Sequence, residues 1–263
     1  MTASKIVSMK NKEKIAMLTA YDFLSAKILS EVNIDIILVG DSLGQVFQGL
    51  NNTIPVKLEE IIYHCGAVRR GAPDAFIIAD MPFLSYGITI EESVKNAGLC
   101  IKEGLANAVK IEGGLDMSET IKAMISIGIP VMGHIGLRPQ LIHRFGRRIA
   151  GKTAEETEFL IEEAKTIEKA GAFSLVIEGT TEEAAKAITE SISIPTIGIG
   201  AGRYTDGQVL VITDMLGMDK EEKFKHNKRY ANLYRIIKKA VSNYVKEVKD
   251  GIFPGPEHSF HQE

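Results

Sequence analysis

Short apolar runs rich in valine and isoleucine recur along the whole chain, and longer segments with helical periodicity separate most of them. Runs without polar alternation are typical of strands covered on both faces, as in a parallel sheet. Eight runs predict strands, at residues 15–20, 34–40, 75–79, 108–111, 130–133, 173–177, 195–199 and 209–213. Eight strands alternating with helices favour an α/β fold, the (β/α)₈ TIM barrel. An open doubly wound sheet is the alternative, because closure cannot be deduced from one sequence.

The intervening segments predict amphipathic helices, most clearly at residues 58–70, 90–103, 118–127, 154–170 and 181–190. The chain has 263 residues, which is close to the roughly 250 of a typical (β/α)₈ barrel. No proline-, glycine- or serine-rich linker and no internal repeat divides it. We therefore predict a single barrel domain over residues 1–263.

Composition excludes several classes of protein. The formal net charge of −3 argues against a nucleic-acid partner, since such proteins usually carry a basic excess. Apolar stretches such as residues 36–39 are far too short to span a membrane, and the lysine-rich N-terminus lacks the apolar core of a secretory signal. Cys65 and Cys100 cannot form a disulfide framework. These features predict a cytoplasmic protein with reduced thiols and no membrane partner.

Polar side chains follow most of the predicted strands. The main ones are Asp41 and Ser42 after the second, Asp80 after the third, Glu112 after the fourth, His134 after the fifth and Glu178 after the sixth. In a parallel barrel the carboxyl ends of all strands meet at one mouth, where barrel enzymes place their active sites. Carboxylates gathered there need a cation, a shared proton or a basic partner. Oxygen ligands without a cysteine cluster favour Mg²⁺ or Mn²⁺.

Each acid also has a plainer interpretation as a helix cap, which we favour for Asp22 and Asp214. For Asp41, Asp80 and Glu112 we favour function, because no helix start follows them immediately. Lys110 lies two residues before Glu112, so both side chains point to the same face of the strand. It should meet a carboxylate, either of a substrate or of Asp80 or Glu112 in a structural pair.

Two further features have open interpretations. Gly198, Gly200 and Gly202 resemble a dinucleotide-binding loop only weakly, because their spacing is G-x-G-x-G; we expect them to let a ligand approach the mouth. Three arginines in the connection after the fifth strand could clamp an anionic ligand or lie on the surface: Arg144, Arg147 and Arg148.

Several long motifs occur in a specific order along the chain. They are LTAYD (18–22), LVGDSLG (38–44), YHCGAVRRGAP (63–73), ADMPF (79–83), VKIEGG (109–114), VMGHIGL (131–137), IGIGAG (197–202) and FPGPEHSF (253–260). In these motifs the chain resembles the ketopantoate hydroxymethyltransferase family along nearly its whole length. It departs from the family pattern in the connection at residues 138–152, where Arg138 replaces a commoner small polar residue.

The resemblance implies a (β/α)₈ barrel of the phosphoenolpyruvate/pyruvate type and an enzyme that is a one-carbon transferase. The implied reaction transfers a hydroxymethyl group from methylenetetrahydrofolate to 3-methyl-2-oxobutanoate to give ketopantoate, the first committed step of pantothenate and coenzyme A synthesis. It further implies one Mg²⁺ per subunit and a homo-oligomer, a decamer. The alternatives are another keto-acid lyase or phosphomutase of the same barrel type, or a non-catalytic ligand-binding barrel.

The resemblance also assigns residues. It implies metal binding by Asp41, Asp80 and Glu112. Substrate contacts fall on Asp41, Ser42, Asp80 and Lys110, and the catalytic base falls on Glu178. His134 is expected to relay a proton or orient a ligand, or else to be a structural histidine.

Overall fold

The computed structural model describes residues 1–221 and 224–262. The chain forms two compact units, Met1–Val211 and Ile212–Glu263. The first contains the sheet and the second contains only helical segments and loops among its described residues. The prediction of one domain over residues 1–263 is not tested by this division and stays a prediction.

The first unit is built on a closed parallel barrel of eight strands within its described residues. Each strand pairs with its sequence neighbours, and β1 pairs with β8 to close the ring. The strands are β1 (Ile15–Thr19), β2 (Ile36–Val39), β3 (Phe76–Asp80), β4 (Ala108–Glu112), β5 (Val131–Gly136), β6 (Ser174–Glu178), β7 (Thr196–Ile199) and β8 (Gly207–Leu210). The predicted (β/α)₈ barrel is confirmed, and the open sheet is excluded.

Helices fill most of the connections, and the predicted ones lie within one or two residues of their observed bounds. In the first unit they are α1 (Ala3–Met9), α2 (Phe23–Glu31), α3 (Leu43–Val46), α4 (Leu58–Gly71), α5 (Ile90–Lys102), α6 (Ser118–Ser126), α7 (Ile142–Phe145), α8 (Ala154–Lys169) and α9 (Glu182–Ser191). Short 3₁₀ turns occur at Leu115–Met117 and Pro139–Leu141. Residues 200–206, all described, connect β7 to β8 without a helix.

The eighth strand begins earlier than its apolar run predicts. We expected residues 209–213, whereas β8 is Gly207–Leu210 and a helix already begins at Ile212. A short apolar run does not distinguish a strand from the start of a buried helix. Tertiary packing decides the boundary, because a Cβ on Gly207 would lie 2.4 Å from the carbonyl oxygen of Ile15. Glycine at this position thus permits the close approach that pairs β8 with β1.

Of the two acids expected to cap helices, one is a helix cap and the other lies inside a helix. Asp22 is the N-cap of α2, where its side chain accepts a hydrogen bond from the Ser25 amide at 2.9 Å. That prediction is confirmed. Asp214 lies inside the short helix α10 (Ile212–Met215), where it accepts a 2.8 Å hydrogen bond from the Asn227 side chain. The capping interpretation of Asp214 is therefore wrong, because the helix begins before it.

Helix α1 closes the end of the barrel opposite the strand carboxyl ends. Its Ile6 and Met9 are buried in one apolar cluster with Ile15, Ile36 and other residues from the barrel strands. The fully buried Ile6 removes its whole side chain from water. Burying such a side chain stabilises a fold by about 1.5–3 kcal/mol. The core thus fills the barrel from this end, and the polar residues are left for the other.

The second unit contains α10, the long helix α11 (Leu233–Lys249) and a 3₁₀ turn at Pro256–His258 that includes part of the EHSF tail. No residue of α11, which is described in full, is buried. Its exposed apolar side chains include Ile236, Val241 and Tyr244. Within the described residues, we find no helix with the length and apolarity that crossing a membrane requires.

Candidate active site

Register between neighbouring strands places the predicted site residues side by side at one end of the barrel. Asp80 at the end of β3 pairs with Lys110 on β4, and Glu112 at the end of β4 pairs with His134 on β5. Neighbouring strands lie about 4.7–4.9 Å apart, so side chains at paired positions can touch. All four residues are buried, with at most 5% of each exposed.

Two carboxylates from adjacent connections form one side of the site. The backbone amide of Asp41, directly after β2, donates a 3.2 Å hydrogen bond to Oδ2 of Asp80. This contact holds the two buried acids together. Burial and the negative charge of Asp80 raise the pKa of Asp41 to about 7. The Asp41 carboxyl group therefore changes charge near neutral pH when no further cation is bound.

Lys110 is the positive centre of the cluster. Its Nζ lies 2.7 Å from Oδ1 of Asp80 and 3.1 Å from Nδ1 of His134. Burial alone would lower the pKa of Lys110, but the charges of Asp80, Glu112 and Asp41 outweigh burial and raise it. The side chain thus stays cationic, and the predicted pairing of Lys110 with a carboxylate is observed.

The contacts of His134 define its tautomer. An ammonium group only donates hydrogen bonds, so Nδ1 must accept from Lys110 and the ring proton must lie on Nε2. Nε2 faces Oε2 of Glu178 at 3.3 Å. Burial and the charge of Lys110 both lower the pKa of His134. The neutral ring therefore carries its proton on Nε2, which lies near the Glu178 carboxylate but has no partner of hydrogen-bonding geometry among the described residues.

Glu178 lies close to His134 because of strand register. It ends β6 beside Gly136 of β5, two residues beyond His134 on the same face of that strand. A Cβ on Gly136 would lie 2.2 Å from the carbonyl oxygen of Glu178, and its φ of +90° also disfavours a side chain. Glycine at this position thus permits the close approach of the two strand ends. About a quarter of the Glu178 side chain remains exposed, so it is the accessible acid of the cluster.

Glu112 lies on the far side of His134. Its Oε1 is 3.6 Å from Nδ1 of the ring, and its Oε2 accepts a 3.2 Å hydrogen bond from the backbone amide of Gln140. Burial raises the pKa of Glu112, and the other acids add to this increase while Lys110 opposes it. Four acids thus share one lysine and one neutral histidine.

Ser42 lies at the edge of this cluster. Its hydroxyl is 2.8 Å from the phenol oxygen of the buried Tyr21. Tyr21 follows β1, so the contact joins the ends of the first two strands. The structure thus brings every predicted site residue to one mouth.

Two residues of the site, Gln140 and Tyr86, were not predicted from the sequence. Gln140 is 4% exposed and its side chain donates to Oδ2 of Asp41 at 3.0 Å. Tyr86 donates to Gln140 Oε1 at 2.7 Å and accepts from the Glu112 amide at 3.0 Å. Both lie in connections that follow strands, and neither has a spacing that marks it. Only their location after β5 and β3 could have suggested a role.

The carboxylates of the site are of the type that binds Mg²⁺. In residues 1–221 and 224–262, no group of three or more His, Cys, Asp or Glu side chains is arranged to hold a metal ion. Mg²⁺ in enzymes is usually held by one or two carboxylates, with substrate and water completing the shell. Asp41 and Asp80 supply two such carboxylates; Oδ1 of Asp80 lies 2.7 Å from Nζ of Lys110 but has no partner of hydrogen-bonding geometry among the described residues. These residues therefore fit Mg²⁺ bound together with a substrate.

The glycines at the end of β7 and after it were predicted to let a ligand approach the mouth. A Cβ on Gly202 would lie 2.5 Å from the Glu182 side chain, and one on Gly198 would lie 2.7 Å from the Thr205 hydroxyl. Neighbouring protein atoms thus account for both glycines, and a ligand is not needed to explain them.

The arginines in the connection after β5 lie on the surface. Arg144 and Arg148 are both exposed. Arg144 lies over the ring of Phe145, and Arg148 forms an ion pair with Glu156.

Comparison with known proteins identifies the family. Residues 1–256 match the model of the family described as ketopantoate hydroxymethyltransferase. The chain belongs to the ketopantoate hydroxymethyltransferase family. A 3-methyl-2-oxobutanoate hydroxymethyltransferase from Thermosipho africanus (strain TCF52B) is 57% identical over 263 residues, or 100% of this chain and 99% of that protein. A protein of the same name from Clostridium beijerinckii is 52% identical over 95% of this chain and 92% of its own. The predicted membership of this enzyme family is confirmed.

Solved structures show the same fold at low identity. A phosphoenolpyruvate phosphomutase from Streptomyces platensis subsp. rosaceus is similar with a TM-score of 0.64 and 14% identity, over 99% of this chain and 92% of that one. A 2,3-dimethylmalate lyase of the PEP mutase/isocitrate lyase superfamily has a TM-score of 0.63 and 16% identity, over 98% and 93%. These structures share the (β/α)₈ barrel fold of this chain. At this identity the likeness concerns the fold alone.

Proposed function

We propose that this member of the ketopantoate hydroxymethyltransferase family transfers a hydroxymethyl group from methylenetetrahydrofolate to 3-methyl-2-oxobutanoate by enolisation of the keto acid. The observation that supports this most is the gathering of four acids around one lysine at the barrel mouth, with an accessible Glu178 beside a neutral His134. Enolisation needs a base on one side of the substrate and positive charge on the other. The site offers both.

The substrate carboxylate and keto oxygen belong at the side of the site formed by Asp41, Ser42, Asp80 and Lys110. Lys110 is cationic and buried, so an anionic group near it would gain a charge-assisted contact in a medium of low dielectric. The Ser42 hydroxyl beside Tyr21 can donate a second hydrogen bond. Fixing these two groups determines which carbon faces Glu178.

Glu178 is the base in this proposal. Its exposed fraction of 24% lets a substrate reach it, and its carboxylate lies 3.3 Å from Nε2 of His134. His134 itself is a poor base here, because Lys110 already occupies its Nδ1 lone pair. The proton removed is the methine hydrogen beside the ketone, and the resulting carbon nucleophile forms a bond to the methylene carbon of methylenetetrahydrofolate. Water supplies the hydroxyl group as the bonds from that carbon to the folate nitrogens break and tetrahydrofolate leaves.

Asp41 and Asp80 would hold Mg²⁺, with Glu112 as the third, more distant acid. Bound there, Mg²⁺ supplies Lewis-acid stabilisation of the negative charge that develops on the keto oxygen during enolisation. The excess of acids over cations among the described side chains of the cluster supports a requirement for such a cation. We include Mg²⁺, at one ion per subunit, in the proposal on this ground.

The cellular setting is also part of the proposal. We place the protein in the cytoplasm, which the free, buried Cys65 and Cys100 support. A homo-oligomer, a decamer as the family resemblance implies, is supported by apolar side chains that α11 leaves exposed, among them Ile237 and Val248.

A coupled assay tests the reaction. The purified protein is incubated with 3-methyl-2-oxobutanoate in deuterated water, with and without methylenetetrahydrofolate, and both methine exchange and ketopantoate are followed. We expect exchange without folate and ketopantoate only with it. A chelator should remove both signals and added Mg²⁺ should restore them. Exchange without any ketopantoate would contradict hydroxymethyl transfer, and full turnover in chelator would contradict the role of the metal.

A further inference from the structure

Gln140 contacts two acids of the cluster and two further groups beside it. Its side-chain Nε2 donates to Asp41 Oδ2 at 3.0 Å and to the carbonyl oxygen of Met81 at 2.9 Å. Its backbone amide donates to Glu112 Oε2 at 3.2 Å, and its Oε1 accepts from Tyr86 at 2.7 Å. One residue thus joins the ends of β2, β3 and β4.

The donors and acceptors around Gln140 admit only one arrangement. The Tyr86 oxygen accepts the backbone N–H of Glu112 at 3.0 Å, so its own proton is available to Gln140. A tyrosine hydroxyl that donates to the carboxamide oxygen forces the NH₂ group toward the other side. There it meets the carbonyl oxygen of Met81, which can only accept, and Oδ2 of Asp41. The Met81 carbonyl therefore determines the orientation of the carboxamide.

The segment that carries Gln140 is attached at both ends. Before it, Arg138 Nη1 lies 3.6 Å from Oε1 of the buried Glu163 on α8. After it, the amide of Ala150 donates to the carbonyl oxygen of Gly179 at 2.8 Å, directly beside Glu178. The residues between these anchors, such as Arg144 and Arg147, are exposed. Gln140 is therefore the part of this connection that enters the site.

We infer that Gln140 is a positioning residue, which with Tyr86 fixes the Asp41 carboxylate for the bound keto acid and cation. This inference rests on the proposed function and adds a residue that acts through Asp41 and not on the substrate. Two hydrogen bonds from the carboxamide hold one oxygen of Asp41 and the backbone next to Asp80. A displacement of about 1 Å in such a group can reduce a rate about a hundredfold.

Gln140→Met is the direct test. It keeps the length of the side chain and the backbone bond to Glu112, and it removes only the carboxamide. We expect kcat/KM for methine exchange of 3-methyl-2-oxobutanoate to fall about ten- to a hundredfold. The affinity for Mg²⁺ in the presence of keto acid, measured by calorimetry, should fall by a similar factor. Both values are calculated per folded molecule, and the fraction of folded protein is measured by circular dichroism.

Tyr86→Phe is the second variant, and it remains informative if Gln140→Met does not fold. It keeps the ring and Gln140, but it removes both the donor to the carboxamide oxygen and the acceptor of the Glu112 amide. We expect a smaller loss of exchange activity, of about fivefold or more. In the Gln140→Met background the same change should have a smaller effect than in the wild type, because only the loss of the acceptor for the Glu112 amide then remains. Full additivity would overturn the proposed unit.

Gln208→Met is the matched control. Its carboxamide also makes two hydrogen bonds, to the Gly202 carbonyl at 2.9 Å and the Thr205 hydroxyl at 2.8 Å, away from the acids. It should leave exchange and Mg²⁺ affinity unchanged. If Gln140→Met lowers only the melting temperature and the folded enzyme keeps wild-type values, the inference is wrong and the proposed function stands. A wild-type enzyme that shows no exchange would instead overturn the proposed function, and the inference with it.

Discussion

Glu178 and His134 show how strand register places a pair of site residues. Glu178 was assigned as the base from a resemblance, and it pairs in register with Gly136, two residues beyond His134 on β5. Its Oε2 lies 3.3 Å from Nε2 of His134. The roles assigned to Glu178 and Lys110 can be tested separately by single substitutions.

Glu178→Gln should abolish proton transfer and keep binding. Glutamine preserves the size of the side chain and its contact with His134, but it cannot take up the methine proton. We expect exchange of 3-methyl-2-oxobutanoate in deuterated water to slow by about 10²–10⁴, while calorimetric affinity for the keto acid is retained. Glu183→Gln, an exposed acid on α9, is the control. Exchange at the wild-type rate would show that another group removes the proton.

Lys110→Met should weaken keto-acid binding about ten- to a hundredfold, since a charge-assisted contact contributes about 1.5–3 kcal/mol. Because Lys110 is paired with the buried Asp80, the variant should also lose about 3–5 kcal/mol of stability. Titration of folded protein separates the two effects. Lys102→Met on α5 removes an exposed lysine for comparison. Unchanged affinity in a destabilised protein would make Lys110 purely structural.

At the scale of elements, the connection between β5 and α8 departs most from what the sequence led us to expect. Arg138 was noticed only as an unusual residue, yet it is paired with Glu163, a buried acid on α8. Glu163 in turn packs against Gly114, where a Cβ would lie 2.1 Å from its Oε1. The contact thus joins α8 to the residues that follow Glu112. Burial raises the pKa of Glu163, and Arg138 only partly opposes this effect.

The raised pKa of Glu163 predicts a pH dependence of stability. An acid whose pKa is raised by folding binds a proton more tightly in the folded state. Its contribution to stability is complete below its unfolded pKa of about 4.3 and is lost as pH rises through the folded value. The wild type should therefore lose stability relative to Glu163→Gln as pH rises from about 4, by at most about 1.4 kcal/mol per pH unit. Urea unfolding at several pH values measures this.

The neighbouring exposed acid provides the control for that experiment. Glu162 lies beside Glu163 on α8 but faces solvent, so Glu162→Gln should follow the wild-type pH profile closely. A constant difference between wild type and Glu163→Gln across the range would show that the buried carboxyl group has an ordinary pKa, which would contradict the prediction.

Across the barrel as a whole, apolar packing and polar chemistry are separated to opposite ends. Helix α1 fills one end with Ile6 and Met9, and the acids lie at the carboxyl ends of the strands. A buried ion pair stabilises the filled end as well, where Lys10 Nζ lies 2.9 Å from Asp206 and also donates to the Thr189 carbonyl. This separation lets one end provide stability while the other tolerates crowded negative charge.

Ile6→Ala should therefore lower stability without changing the chemistry. Removing a fully buried isoleucine side chain costs about 2–5 kcal/mol, which urea unfolding would detect. The rate of methine exchange per folded molecule should stay at the wild-type value, because Ile6 lies at the end of the barrel away from Glu178. Val7→Ala changes the exposed neighbour on the same helix and should cost less than about 1 kcal/mol. A matching loss in both variants would argue against packing of α1 into the barrel.

The amino-acid sequence by itself determined the alternation of strands and helices, because runs such as Ile36–Val39 are apolar throughout and the helices between them are amphipathic. It also located Asp41, Asp80, Glu112 and Glu178, since an acid directly after a buried strand is a local signal. These features depend on periodicity and on neighbours in the chain, which a sequence contains.

Tertiary structure alone decided closure of the barrel, the start of β8 and the entry of Gln140 and Tyr86 into the site. Closure depends on contact between Ile15 and Gly207, which are far apart in the chain. Gln140 becomes significant only because the connection after β5 crosses to Asp41, 99 residues earlier in the chain. Such contacts have no local signal, because their free energy depends on which distant atoms the fold brings within hydrogen-bonding distance.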